Sequence, residues 1–178
     1  MRGTSTFRIV VTALFAALIC VATMLVRIPI LATGGYANLG DGIILICAFL
    51  MKPLYAVLAA GLGSLLADIL AGYASYAPGT LVIKAGVALI AAALYRKLSK
   101  TAGIKKVVAA MTISGILAEA FMILGYFVYE AVILGLGLGA VGALVGNIGQ
   151  GIVGVIAACV VAPALSRSRE VNEMMNKL

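Results

Sequence analysis

Three ionisable residues, Asp68, Lys84 and Glu119, stand inside apolar stretches of helical length. An ion at membrane depth costs about 2.5–3.5 kcal/mol on insertion scales and tends to face a bundle interior or a water-filled cavity. Asp68 falls near the end of one such stretch and Lys84 near the start of the next, so the two reach similar depths. A structural ion pair between Asp68 and Lys84 would tie those helices together; Lys84 is also placed to meet a ligand, and both readings stand. Helical spacing enlarges the polar set. Tyr76, Thr80 and Lys84 recur every four residues, Glu119, Met122, Tyr126 and Tyr129 form a second stripe, and Asn147 and Gln150 share a face of the last long helix. If these stripes converge, they form a cavity with aromatic walls and a few directional polar groups, the usual make-up of a small-molecule site. The competing reading is a belt of tyrosines at the membrane interface, strongest for Tyr73.

Other chemistries lack their residues. The 178-residue chain has no His, so Ser-His-Asp triads, zinc hydrolase sites and haem ligation have no imidazole to use. An aspartyl protease needs paired aspartates at catalytic depth, and Asp41 and Asp68 both fall near helix ends. Metal-dependent phosphotransfer gathers several acids around an ion. Cys20, Cys47 and Cys159 lie in apolar runs without CxxC spacing and read as small core hydrophobes. No catalytic residue, metal site or cofactor is expected, and a membrane enzyme is the weaker class.

The elements that must position the polar stripes follow from composition. The chain is 64% hydrophobic and 11% charged, with a mean hydropathy of +1.20; a soluble domain runs about 45–50% apolar and about 25% charged. The reading is a polytopic membrane protein. Residues 9–26 and 131–166 carry no charge, and allowing one ion per span recovers the rest. Helices are expected at 7–31, 40–52, 54–72, 79–97, 105–133 and 138–166, making one all-α domain of six transmembrane helices over residues 1–178. The 9–26 run is too long for the apolar part of a typical cleaved signal.

The net charge of +7 does not read as a nucleic-acid surface, because the cations fall between apolar segments rather than along a soluble face. Arg2, Arg8, Lys52, Arg96, Lys97, Lys100, Lys105, Lys106, Arg167, Arg169 and Lys177 fall on one side of a six-span alternation, leaving Arg27 and Lys84 for the outer half. The positive-inside rule then puts both termini in the cytoplasm. The outer connections, about 32–39, 73–78 and 134–137, mix glycine with tyrosine and small polar groups. That composition suits ligand contact and ordinary turns alike.

Small residues mark possible close approaches. Ala13-Leu-Phe-Ala-Ala17 has AxxxA spacing, and Gly61, Gly63 and the Gly142–Gly154 stretch are glycine-rich. Small faces allow tight internal packing or form a docking patch for a partner.

Taken together, the length, the six helices, the AxxxA, Asn38-Leu-Gly-Asp41-Gly, Gly61-Leu-Gly-Ser-Leu-Leu-Ala-Asp68 and Tyr76-Ala-Pro-Gly-Thr80-Leu-Val-Ile-Lys84 resemble a substrate-binding (S) component of an energy-coupling factor (ECF) vitamin transporter. The resemblance spans nearly the whole chain and is nearest the subgroup for riboflavin-like, pyridoxine and hydroxymethylpyrimidine substrates. It implies a multi-pass protein of a prokaryotic plasma membrane that binds a vitamin in an outward-facing cavity closed by the first outer loop. It further implies association with a transmembrane coupling subunit, docked at Ala13 and Ala17, and with two cytoplasmic ATPases. No GxxxxGK[ST] phosphate loop occurs in this chain, as expected where partners hydrolyse the ATP. By position, Tyr36 and Asn38 fall in the lid, and Tyr76, Thr80, Lys84, Glu119, Tyr126, Asn147 and Gln150 in the cavity. The tryptophans and histidine of thiamine-specific members are missing, which argues against thiamine. A hydroxylated heteroaromatic and a carboxylate paired with Lys84 both remain as ligands. A stand-alone secondary transporter or channel is the main alternative, although no repeat relates residues 1–90 to 91–178.

Overall fold

The computed structural model describes residues 2–99 and 104–176. Of the basic residues used for orientation, Lys100 and Lys177 lie outside the described residues. The elements run α1 (Arg2–Leu25), β1 (Arg27–Ile30), β2 (Gly35–Asn38), α2 (Gly40–Leu50), α3 (Pro53–Leu70), α4 (Ala77–Leu98), α5 (Ile104–Val128), a π-helical turn (Tyr129–Ile133), a 3-10 turn (Gly137–Ala143), α6 (Leu144–Leu165) and α7 (Arg169–Asn176). Proline stands in the first turn of both α3 and α4, where a missing N–H costs nothing.

The first helix stops earlier than the expected residue 31. Pro29 cannot continue a helical hydrogen-bond ladder, and Arg27–Ile30 instead pairs antiparallel with Gly35–Asn38, with Arg27 opposite Asn38 and Ile30 opposite Gly35. Gly34 takes a φ of 68° at the turn, and its N–H donates to the Ile30 carbonyl at 2.9 Å. The expected 32–39 loop is thus mostly a hairpin. The third to sixth helices fall within a few residues of their expected bounds, with the fifth ending in a π turn and the sixth opening through a 3-10 turn. Helix α7 was not expected; its Val171, Met174 and Met175 pack against the core.

Among the described residues, five helices are long and apolar enough to cross a membrane. They form a sequence of neighbours in which α1 packs on α3, α3 on α4, α4 on α5 and α5 on α6, while α2 touches α1, α3, α4 and α6. Leu14, Leu18, Leu62, Leu66, Ile152 and Ile156 point outward, an apolar surface suited to lipid. The α1–α3 crossing depends on Gly63, where a β-carbon would come within 2.5 Å of the Ala16 carbonyl oxygen.

Helix α2 has only 11 residues, about 16 Å of length against a hydrocarbon core of about 30 Å. Its first turn lies beside Lys84, which is seven residues into α4 and hence about 10 Å below the start of that helix. The hairpin occupies the space above it. At the other end, where Met51 is fully buried, the Arg96 guanidinium donates to the carbonyls of Ala48 and Met51 and to its own Ala92. A cation here both satisfies the orphaned carbonyls of a buried helix end and opposes the negative pole of its dipole. Arg96→Met is expected to destabilise the protein by about 1–3 kcal/mol, read as a lower thermal midpoint in detergent. Arg96→Lys, lacking the planar fork, should recover only part of the loss.

Candidate functional site

The site is built from the buried end of α2 upward. Asp41, in the first turn of that helix, is fully buried and receives the Lys84 ammonium on Oδ1 at 2.6 Å. Its other oxygen, Oδ2, accepts from Gln150 Nε2 at 2.6 Å, and Gln150 Oε1 in turn accepts the Asn38 backbone N–H at 2.6 Å. Asn38 Oδ1 takes the Gly40 N–H at 2.8 Å. Four elements, β2, α2, α4 and α6, are thereby joined through one carboxylate.

The expected ion pair between Asp68 and Lys84 is corrected by this arrangement. The recessed start of α2 brings Asp41 down to the depth of Lys84, and the ammonium pairs there. Asp68 still lies close enough to feel the Lys84 charge, but its Oδ1 accepts the Tyr36 hydroxyl at 2.6 Å.

Above the Lys84–Asp41 pair is a cavity at the hairpin end of the bundle. Ile30, Tyr36 and Asn38 of the hairpin form its roof, and Thr23 of α1 and Ser64 and Asp68 of α3 one wall. Tyr76, Thr80 and Lys84 on the α4 side face Tyr126 and Glu130 on the α5 side, with Asn147 and Gln150 of α6 closing the ring. Thr80 Oγ1 and the Tyr126 hydroxyl lie 3.0 Å apart, and the Lys84 ammonium sits 5.4 Å from the centre of the Tyr126 ring. The Tyr76 hydroxyl lies 2.9 Å from the Thr33 carbonyl and 3.2 Å from Glu130 Oε1. Burial pushes the Tyr76 phenol up to about 12. The Tyr76 hydroxyl therefore stays protonated across physiological pH.

Eight of the nine residues expected at the ligand site line this cavity: Tyr36, Asn38, Tyr76, Thr80, Lys84, Tyr126, Asn147 and Gln150. Glu119 does not. It is buried against α6, where a β-carbon on Gly151 would come within 3.0 Å of its own, and it borders a separate apolar groove between α5 and α6 of about 400 Å³. Thr23, Ile30, Ser64 and Glu130 line the cavity without having been expected there, and of these Glu130 has the clearest signal. It stands four residues beyond Tyr126, so the spacing that picked out Tyr126 extends to it, and the π turn, a feature often found at functional sites, holds it in the wall.

The enclosed space measures about 20 Å³, room for about one water, whereas ligand pockets begin near about 300 Å³. The tyrosines and the hairpin fill the rest. Three wall atoms, Ser64 Oγ, Asp68 Oδ2 and Glu130 Oε2, are buried without a hydrogen-bond partner, an unusual condition for polar atoms.

Both AxxxA residues, Ala13 and Ala17, fall on the same exposed side of α1. Ala16 is buried against α3, while Ala13 and Ala17 are exposed, Ala13 on the edge of an apolar groove shared with Leu58 and Leu62. Several glycines of α6 and of the 3-10 turn before it serve internal packing, whereas Gly149 faces open space. Gly142 faces Ala32, a β-carbon on Gly146 would lie 2.8 Å from Ile30 Cδ1, and one on Gly154 would lie 3.0 Å from Asp41 Cβ.

A sequence profile of the family described as ECF-type riboflavin transporter, S component, matches residues 3–167. A protein of Pyrococcus woesei described as "Uncharacterized protein in gap 3'region" is 40% identical over 138 residues, covering 78% of this chain and 87% of the relative.

Removing one partner of the buried pair leaves the other uncompensated. Lys84→Met and Asp41→Asn are each expected to cost about 3–5 kcal/mol. The double variant should lose clearly less than the sum in chemical unfolding of the detergent-solubilised protein; additive losses would mean that the two groups do not support one another.

Proposed function

The chain belongs to the ECF-type riboflavin transporter S-component family, and from that premise we propose that the cavity under the hairpin binds one small vitamin or vitamin precursor taken up with the help of an ECF module. Members of this family are transporter components rather than enzymes, and their work is vitamin uptake with a transmembrane coupling subunit and ATPases. The finer reading is a heteroaromatic of pyridoxine-, hydroxymethylpyrimidine- or riboflavin-like type. The observation that carries it is a buried, tyrosine-lined polar cavity in an otherwise apolar helical bundle. Tyrosine rings supply stacking area and hydroxyls, and Thr80, Asn147 and Gln150 supply directional bonds to ring substituents.

The carboxylated competitor is disfavoured by the Lys84–Asp41 pair. An ammonium already held at 2.6 Å by a buried carboxylate has little charge to offer a second one. Tyr36 and Asn38 act as the lid. Because the closed space is far smaller than a vitamin, the hairpin and the tyrosine rings must shift outward for a ligand to enter.

In the proposed topology both termini are cytoplasmic, in the plasma membrane of a prokaryote, and the hairpin side faces out. Helix α2 and the hairpin together make the second of six crossings. Ala13 and Ala17 present a smooth patch to the coupling subunit, and two ATPases on the cytoplasmic side supply the energy.

Detergent-purified protein is expected to retain or bind one vitamin-sized compound per chain, without ATP or an ion gradient, and mass spectrometry of the extract identifies it. Uptake by the chain alone in liposomes, driven by sodium or protons, would instead make it a secondary transporter. With the partner module present, the double substitution Ala13→Trp and Ala17→Trp should abolish ATP-dependent uptake and leave ligand affinity unchanged. A loss of affinity would assign that face to internal packing.

A further inference from the structure

The cavity has a charge imbalance. Asp68 and Glu130, 3% and 2% exposed, both line the cavity, and each has one buried oxygen without a hydrogen-bond partner. Ser64, 1% exposed, adds a third unpartnered oxygen. The remaining oxygens of the two acids are used by Tyr36 and Tyr76. Lys84, the cation lining the cavity among the described residues, is committed to Asp41. Arg27 lies outside it on the exposed strand, and Glu119, close to Asp41 and Lys84, adds an acid rather than a base. Buried carboxylates with an empty acceptor site are costly unless a donor or a cation meets them.

The aromatic surroundings point the same way. Tyr73 packs at a tilt against Tyr36 with ring centres 4.5 Å apart and lies 6.4 Å from Tyr76, whose ring is 6.3 Å from Tyr129. With Tyr126, these rings border the two acids on several sides. Ring faces within about 6 Å attract a cation.

We infer that the ligand carries a positively ionised nitrogen and that this cation sits between Asp68 and Glu130, enclosed by the tyrosines. The inference rests on the cavity being the vitamin site and narrows the substrate class there to cationic, hydrogen-bond-donating heteroaromatics. Neutral rings gain stacking and hydrogen bonds but no charge pairing, and anionic ones meet two carboxylates with no uncommitted lysine.

The test takes the compound retained by the full-length protein and measures its affinity in wild type, Asp68→Asn and Glu130→Gln. A compound with a nitrogen ionised at neutral pH, bound at least about tenfold more weakly by each variant, is the expected result. A retained compound without such a nitrogen, riboflavin itself included, overturns the inference and leaves the transport reading standing; so does an affinity that neither substitution changes. A second measurement needs no variant to fold. Pyridoxamine and 4-pyridoxate share a ring and differ in charge, and wild-type protein should favour the amine by at least about tenfold in competition with the retained compound. Equal or reversed preference overturns the inference. A chain that neither retains nor binds any such compound overturns the inference and the transport reading together.

Discussion

The buried pair of Lys84 and Asp41 sets the geometry of everything above it. An ammonium and a carboxylate out of reach of water must find each other, and here they do so across α4 and α2 at 2.6 Å. That contact fixes how deep α2 begins. Gln150 extends the constraint to α6 and, through the Asn38 N–H, to the hairpin. The roof of the cavity and its floor are thus positioned by the same carboxylate.

In the proposed six-crossing topology the hairpin lies at membrane depth, because α2 is too short to cross alone, and a strand there must bury its backbone in protein. Helix α6 provides the means. Positions 142, 146, 150 and 154 recur every four residues on one face, and they meet Ala32, Ile30, Asn38 and Asp41 in turn. Three are glycine and the fourth is the glutamine that binds the strand. Large side chains at 142 and 146 would hold the hairpin away from the bundle, and one at 154 would crowd Asp41 of α2.

Much of this was legible in the sequence. Charge gaps and four-residue spacing located the helices and most of the cavity residues, because both depend on local periodicity and on the cost of placing an ion in hydrocarbon. The choice of partner for Lys84 was not legible. Position along the sequence puts Asp41 near a helix end, and only the folded hairpin brings it down to replace Asp68 beside Lys84. Glu119 shares its periodicity with Tyr126, but Gly151 admits it against α6 and leaves it outside the cavity. Pro29 and the glycine turn carried the signal for the hairpin. The apolar character of residues 26–31 suits an exposed strand as readily as a helix end.

The aromatic composition has an optical consequence. The chain has seven tyrosines and no tryptophan, and five of them, Tyr36, Tyr73, Tyr76, Tyr126 and Tyr129, line the cavity or pack in the array beside it. Its intrinsic ultraviolet emission therefore originates largely beside the cavity, unmasked by any indole. A heteroaromatic guest absorbing in that range would sit within energy-transfer distance of most of the emitters, so the protein carries its own reporter of occupancy and needs no label.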